Sequence, residues 1–411
     1  MDVPARVVIT GLGAIAPMSD TPIQLWDNLI AARSAIRVIT QYDRSCTKVK
    51  VAGEIDFNPS LFLEPREARR MSRDSQLAVV ATRQAMRDSG LTTALLESCT
   101  DRVGVVMGTT LGGYEIGLRE IAPFPKHRIG PYALMNSLPN LPSFYMAREV
   151  LANGPSLTVS TACASGTQAI GQGADLIRHN QADIVFAGGV EALIEASLIA
   201  GLESMGVMAL GFESNPKAAC RPFEANRSGL VYSEAVAVLV LESLAHASAR
   251  GAHIYAELIG YGMSTDRANP AIPDPSGRPA RLAMQNALND ARIAADDVNY
   301  INPHGPGTSA DAIETRAIKQ VFGDRAYQIP ISSTKSMLGH SMGATGAVEA
   351  LVTVLTIATG IIHPTINYDV PDPACDLDYV PNTARDATVK VAMSNNLGLG
   401  GQNASLIFRA M

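Results

Sequence analysis

The sequence contains few cysteines, and they stand far apart. The 411 residues include five, namely Cys46, Cys99, Cys163, Cys220 and Cys375. An odd number at such spacing predicts neither a disulfide framework nor a zinc site. No signal peptide is recognisable before the first apolar run, Arg6 to Thr10, so a reducing cytoplasm is the expected location.

Long hydrophobic runs and clusters of one charge are also scarce. The most apolar stretch, 348–362, is interrupted by Glu349 and several threonines, so we expect no membrane span. The net charge is -6 and there is no basic cluster, which argues against nucleic acid as the main partner. Hydrophobic residues make up 47% of the chain. A large core is therefore expected, and 411 residues predict two domains or two fused halves.

A glycine motif follows the first predicted strand. Gly11 to Ala16 fits the dinucleotide-binding pattern G-x-G-x-x-A, which must open a helix whose N-terminus holds a pyrophosphate. Pro17 follows at once, and the helix signal comes later, with Asp20 or Thr21 as the cap and Pro22 in the first turn. We therefore predict that this motif does not bind a dinucleotide.

Predicted strands and helices alternate along the chain, which indicates an α/β fold. Residues 103–112 and 389–398 share the pattern V-x-V-x-M-x-x-x-L-G. Either two buried strands are alike by chance, or the chain is a duplicated α/β unit, with halves 1–252 and 253–411. Residues 121–142 carry five prolines and are expected to form an ordered loop that lines a site or an interface.

Cys163 lies where a β-rich run, 156–160, meets a segment of small residues that can open a helix. On such a turn the free N–H groups of the helix and its dipole favour a thiolate, and the same groups can hold an oxyanion. The alternative is a small buried hydrophobic residue. Cys163 is expected to be a nucleophile only if other parts of the chain supply catalytic partners for it.

Two histidines in glycine-rich loops provide such partners. His304 follows a short apolar run, and His340 lies in a loop that also contains Lys335. A single histidine is usually structural, but two in this setting, together with a cysteine that opens a helix, favour a nucleophilic site.

A serine hydrolase is the rival interpretation. Gly339 to Gly343 fits the nucleophile elbow G-x-S-x-G around Ser341. In that fold an acid and then a histidine must follow the serine. Only Glu349 and His363 do so, with no aspartate between Ser341 and His363, so we disfavour this class and assign His363 no role.

Together the motifs resemble the β-ketoacyl-acyl carrier protein synthases of the type II elongating branch. The resemblance covers almost the whole chain and follows the family's order: RVVITGLG at 6–13, TACASG at 161–166, His304-Gly305, KSMLGH at 335–340 and GLGGQNASLIF at 398–408. It implies the thiolase fold, with two βαβαβαββ halves in five αβαβα layers, and an obligate dimer.

The resemblance also implies a role for each motif residue. Cys163 would accept the acyl group, with its own N–H and that of Leu399 as the oxyanion hole. His304 and His340 would stabilise the enolate formed when malonyl-carrier loses carbon dioxide. Lys335 would orient the network as the partner of Glu314. Leu397 and Leu399 would form the gate, and Thr308 and Asn403 would bind the substrate. No metal or redox cofactor is expected, because decarboxylation would drive the condensation. The substrates would be carried on the phosphopantetheine of an acyl carrier protein.

Several positions around the substrate path depart from the family pattern. Pro306 replaces a threonine and thereby removes a hydroxyl and an N–H donor. Ala271-Ile272 replaces a threonine-serine pair, and Leu397 and Leu399 replace phenylalanines. These changes favour a ketosynthase of a type II polyketide or polyene pathway, paired with a chain-length-factor-like subunit, over a housekeeping fatty-acid enzyme. A chain-length factor itself lacks the nucleophile, so the intact cysteine, histidines and lysine argue against a non-enzyme.

Overall fold

A computed structural model describes residues 4–126 and 128–411. The strands are β1 Val7–Ile15, β2 Arg37–Val38, β3 Val51–Ala52, β4 Val103–Gly108, β5 Ser156–Val159, β6 Ile184–Glu191, β7 Ala235–Ser243, β8 Ala256–Thr265, β9 Tyr300–Asn302, β10 Ile361–Ile362, β11 Arg385–Asp386, β12 Val391–Leu397 and β13 Gln402–Arg409. The helices are α1 Pro22–Ile30, α2 Pro65–Ala68, α3 Arg73–Asp88, α4 Thr93–Glu97, α5 Tyr114–Ile116, α6 Ala133–Asn136, α7 Leu141–Glu149, α8 Ser165–Arg178, α9 Ala196–Ser204, α10 Leu244–Ala249, α11 Arg278–Ala291, α12 Ala310–Phe322, α13 Lys335–Leu338 and α14 Thr345–Thr359.

The main sheet consists of two halves in the order β5-β4-β6-β7-β1 and β8-β13-β12-β9. They meet where Val7 to Ile9 pair with Ala256 to Leu258. Helices α8 and α14 lie between the two halves, while α3 and α7 cover one outer face and α11 and α12 cover the other. The result is the five-layered αβαβα arrangement of the thiolase fold, as predicted.

The two central helices are lined with small residues, which lets them approach closely. A Cβ on Gly166 would lie 2.6 Å from the backbone nitrogen of Ala347, and one on Gly346 would lie 2.0 Å from Thr167 Oγ1. Among the described residues, Met342–Thr359 is apolar and long enough to cross a membrane by composition, but 78% of it is buried in the protein. This stretch is the α14 core helix.

The repeated sequence pattern lies on two strands that do not correspond in position. β4 lies between β5 and β6 and is parallel to both, whereas β12 is parallel to β9 and antiparallel to β13. The strand with the same neighbours as β12 is β6, which is parallel to β4 and antiparallel to β7. The duplication is real, but the proposed pairing of its strands was wrong, because V-x-V is common to buried strands in any position.

The glycine motif near the N-terminus is part of a strand. β1 continues through Gly11 and Gly13 to Ile15, and α1 begins later, with Thr21 as its cap and Pro22 in the first turn. A Cβ on Gly13 would lie 1.9 Å from the carbonyl oxygen of Ala81. The glycines thus allow α3 to pack on the strand, and the prediction that they bind no dinucleotide agrees with this geometry.

The predicted boundary between the halves, 252/253, falls between α10 and β8. Within 121–142, residue 127 lies outside the described residues, and the rest includes α6 and the start of α7. All five cysteines are free.

Candidate active site

Cys163 lies on a tight turn between β5 and α8. Ala162 has a φ of 49°, a left-handed value that reverses the chain after the strand. Ser165 fixes the turn, since its Oγ accepts from the N–H of Thr161 at 2.8 Å and donates to the carbonyl of Ala162 at 2.7 Å. The thiol is 4% exposed and points toward His340.

His340 bonds to the thiol through a defined ring nitrogen. Its Nδ1 accepts the N–H of Met342 at 3.1 Å, so the ring proton of the neutral imidazole lies on Nε2, which is 3.1 Å from Cys163 Sγ. Burial, together with the charge of Lys335, lowers the pKa of His340 well below its ordinary value. His340 is therefore a neutral hydrogen-bond donor.

His304 completes the cluster. Its ring lies 5.3 Å from that of His340, nearly edge-on, and its Nδ1 has no hydrogen-bond partner among the described residues. Burial and the charge of Lys335 also lower its pKa well below the usual value. His304 lines the cavity that opens beside Cys163, so a neutral imidazole is available to a substrate there.

Lys335 pairs with a different carboxylate from the one predicted. Its Nζ donates to the Glu349 carboxylate and to the carbonyl of His304. Glu314 instead accepts the backbone N–H groups of His304 at 2.8 Å and Gly305 at 2.9 Å. The predicted Lys335–Glu314 pair is thus wrong, because α14 places Glu349 nearer to the ammonium than α12 places Glu314.

The carboxylate network extends to the central helices. Asn396 donates to Glu349 Oε2 at 2.7 Å, and its Oδ1 accepts from Thr167. Sequence reasoning noted Glu349 as an interruption of an apolar run and as an acid that follows Ser341, but not as the partner of Lys335. The available signal was a carboxylate in the middle of an apolar, buried helix, because a buried carboxylate needs a buried cation as its partner.

Burial dominates the ionisation of the thiol. The N–H groups of Leu399 and Cys163 and the charge of Lys335 favour the thiolate, but desolvation outweighs them and raises the pKa of Cys163 to about 11. The expected thiolate is therefore absent from the resting site. The same two N–H groups lie near the sulfur, at the place predicted for an oxyanion hole.

A cavity of about 120 Å³ opens onto these groups. The predicted gating and substrate-binding residues all line it, together with the positions that depart from the family pattern: Leu397, Leu399, Thr308, Asn403, Pro306, Ala271 and Ile272. The structure thus brings every predicted cavity residue to one place beside Cys163, His304 and His340.

The arrangement does not support a serine hydrolase. Both nitrogens of His340 are engaged, by Met342 and Cys163. His363 lies in a separate buried network, with its Nε2 near the hydroxyls of Ser332 and Thr334. Neither histidine is free to act as a base for Ser341.

The chain matches two family models that together cover most of it. One, "Beta-ketoacyl synthase, N-terminal domain", matches residues 5–247, and the other, "Beta-ketoacyl synthase, C-terminal domain", matches residues 255–369. A 3-oxoacyl-[acyl-carrier-protein] synthase 2 of Staphylococcus aureus (strain COL) is 41% identical over 409 residues, 98% of each chain.

Two solved structures share the fold over nearly their full length. One is the ishigamide ketosynthase/chain length factor, at 35% identity, and the other is a type II polyketide synthase acyl-carrier protein in complex with its ketosynthase bound to the hexaketide, at 33%. Each has a TM-score of 0.90 and is matched over 99% of this chain and 100% of its own. The chain belongs to the β-ketoacyl synthase family.

Proposed function

We propose that the protein catalyses the decarboxylative Claisen condensation of an acyl group on Cys163 with malonyl-acyl carrier protein. The observation that carries this proposal is the hydrogen bond from the neutral Nε2–H of His340 to Cys163 Sγ, with His304 beside it. A nucleophile and two neutral donors in one dry cavity suit a reaction that passes through a thioester and an enolate.

In the first step the sulfur of Cys163 attacks the thioester carbonyl of an acyl carrier. The N–H groups of Cys163 and Leu399 hold the oxyanion. Collapse breaks the old C–S bond, and the carrier leaves as its thiol with the proton of the cysteine. The acyl group is then held on the enzyme as a thioester.

In the second step malonyl-carrier loses carbon dioxide, and the bonding electrons form a thioester enolate. Donors from His304 and His340 stabilise its oxygen. The enolate carbon attacks the acyl-Cys163 carbonyl, and the cysteine leaves and is protonated again. The products are carbon dioxide and a β-ketoacyl carrier. The electron pair of the new C–C bond comes from the bond that joined the malonyl carboxylate to its carbon, so the reaction requires no added oxidant or reductant.

Intact mass spectrometry tests the loading step. After incubation with a panel of acyl carriers, the protein should gain the mass of one acyl group, and Cys163→Ala should gain none while it remains folded. His304→Ala should load normally but form little β-ketoacyl product from malonyl-carrier. Acylation of the Cys163→Ala protein would refute the assignment.

A specialised polyketide or polyene substrate is the second candidate. Pro306, Ala271, Ile272, Leu397 and Leu399 all line the same cavity, so the departures from the fatty-acid pattern are concentrated on the substrate path. One similar structure is a ketosynthase of a type II polyketide synthase, and another is a ketosynthase/chain length factor. Efficient elongation of ordinary saturated acyl carriers by the protein alone would contradict this assignment.

The surface supports a dimer. β5 is one of the two edge strands of the main sheet, and Leu157 on it is 40% exposed. The segment that precedes β5 in the chain carries further exposed apolar side chains: Phe124, Ile129, Tyr132, Leu134, Met135 and Phe144. We propose that a second copy or a chain-length-factor-like subunit covers this surface, that an acyl carrier protein docks at the cavity, and that the protein works in the cytoplasm without nucleic acid or membrane.

A further inference from the structure

Glu191 is a buried carboxylate that ties two loops together. It ends β6 and is fully buried. Its Oε2 accepts the backbone N–H of Thr110 at 2.8 Å and of Gly343 at 3.1 Å, and its Oε1 accepts that of Leu111 at 3.3 Å. A Cβ on Gly343 would lie 2.7 Å from Oε2. The glycine thus permits the carboxylate to reach the turn that follows His340.

The residue before Gly343 has a constrained backbone. Met342 has a φ of 41°, in the left-handed region that residues other than glycine keep only where their surroundings hold them. The N–H of Met342 is the group that donates to Nδ1 of His340. The Glu191 bond to the next amide along the chain therefore restrains Met342, the residue whose own N–H orients the imidazole.

We infer that Glu191 is a positioning residue for His340, an inference that rests on the proposed function. Its carboxylate holds the Gly343 amide, which keeps Met342 in its left-handed conformation and the Met342 N–H on Nδ1. The proton of His340 then stays on Nε2 and faces Cys163. Glu191 thereby determines which imidazole nitrogen acts as the donor.

The pseudo-symmetry of the fold supports this role. Each half has a left-handed turn before its central helix, at Ala162 before α8 and at Met342 before α14. The first turn is approached by the backbone N–H of Leu399, which follows β12 in the second half. The second turn is held by Glu191, at the end of the corresponding strand β6 in the first half. Each turn is thus contacted from the opposite half.

A double-mutant cycle tests the inference. Glu191→Ala should lower kcat of condensation at least tenfold with little change in KM, and Glu191→Gln, which keeps one acceptor oxygen, should recover most of it. In a His340→Ala background, Glu191→Ala should have less than a twofold further effect, because interactions on one path are not additive. The rate at which iodoacetamide alkylates Cys163, measured on the Cys163 peptide, should follow the same pattern.

Glu224→Ala is the matched control. Glu224 is also fully buried and accepts backbone N–H groups, from Asn226 at 2.6 Å and Val370 at 3.1 Å, but it does not contact the turn after His340. The inference is overturned if Glu191→Ala lowers kcat by the same factor in the wild-type and the His340→Ala backgrounds. It is also overturned if Glu224→Ala lowers kcat as much as Glu191→Ala does. If wild-type protein takes no acyl group, the proposed function fails, whereas the alkylation cycle still reports on Glu191.

Discussion

The thiol of Cys163 shares its cavity with two imidazoles that are neutral near pH 7. Burial raises the pKa of Cys163 to about 11 and lowers those of His304 and His340. In the proposed mechanism, the charge needed for attack develops when a thioester arrives and its oxygen reaches the two N–H groups. Such a site is protected from unproductive reaction of its own nucleophile.

This ionisation predicts a pH profile. Below a pKa of about 11, the thiolate fraction rises about tenfold per pH unit, so alkylation of Cys163 by iodoacetamide should accelerate by about that factor per unit from pH 7 to 10. Peptide mass spectrometry measures the rate. A plateau reached between pH 7 and 8 would show that the thiol ionises much more readily.

Lys335 and Glu349 form a buried ion pair, each about 1% exposed. Removal of one partner leaves an uncompensated buried charge, so Lys335→Met should lower the free energy of unfolding by roughly 3–5 kcal/mol. The double variant Lys335→Met/Glu349→Gln should lose less than the sum of the single losses, as measured by urea denaturation. Additive losses would contradict the pairing.

The cluster also predicts inhibition by zinc. One ligand atom from each of Cys163, His304 and His340 lies within 4.8 Å of the others, and thiolate and imidazole are preferred zinc ligands. Micromolar Zn²⁺ should block acylation of Cys163, and EDTA should restore it. His304→Ala should load acyl groups in the presence of zinc; if it is inhibited as strongly as the wild type, the metal binds elsewhere.

At this scale the sequence predicted which candidate groups the structure brings together but not the residues that support them. Cys163, His304 and His340 lie in motifs with fixed residue types, so local pattern was enough to single them out. Glu349 and Glu191 act through hydrogen bonds to residues that lie far from them in the sequence. No spacing in the chain indicates which of several carboxylates the fold brings to a given amide or ammonium.

At the scale of elements, helices α8 and α14 pack closely because glycines, which have no side chain, lie at their contact. A Cβ on Gly166 would lie 2.6 Å from the backbone of Ala347, so Gly166→Ala should destabilise the protein by about 1–3 kcal/mol through overpacking. Gly201 in α9 has open space around its Cα, and Gly201→Ala should be neutral or stabilise by up to about 1 kcal/mol. Thermal unfolding of both variants checks this. If the two substitutions shift the Tm equally, the packing argument is contradicted.

The elements themselves were largely predictable. The helix start at Pro22 and the turn at Cys163 were read correctly, because a proline, a capping residue and a run of small residues are local signals. The correspondence between β4 and β12 was misread, since the place of a strand in a sheet depends on its neighbours, and they come from distant parts of the chain.

At the scale of the whole molecule, the free β5 edge predicts how the protein assembles. Leu157→Lys places a charge on that edge and should convert the proposed dimer to a monomer in light scattering. Leu282→Lys is the matched control, because Leu282 is 45% exposed on the outer helix α11, away from β5. A dimer that withstands Leu157→Lys would indicate another interface.

The contacts that each turn receives from the opposite half have a consequence for synthesis. Leu399 leaves the ribosome about 240 residues after Cys163, roughly 10–50 s later at ordinary translation rates. Throughout that interval the nascent chain carries the cysteine without the second proposed oxyanion donor, and for about the first 180 residues it also lacks His340. We therefore expect acyl transfer to Cys163 to begin only when the chain is nearly complete.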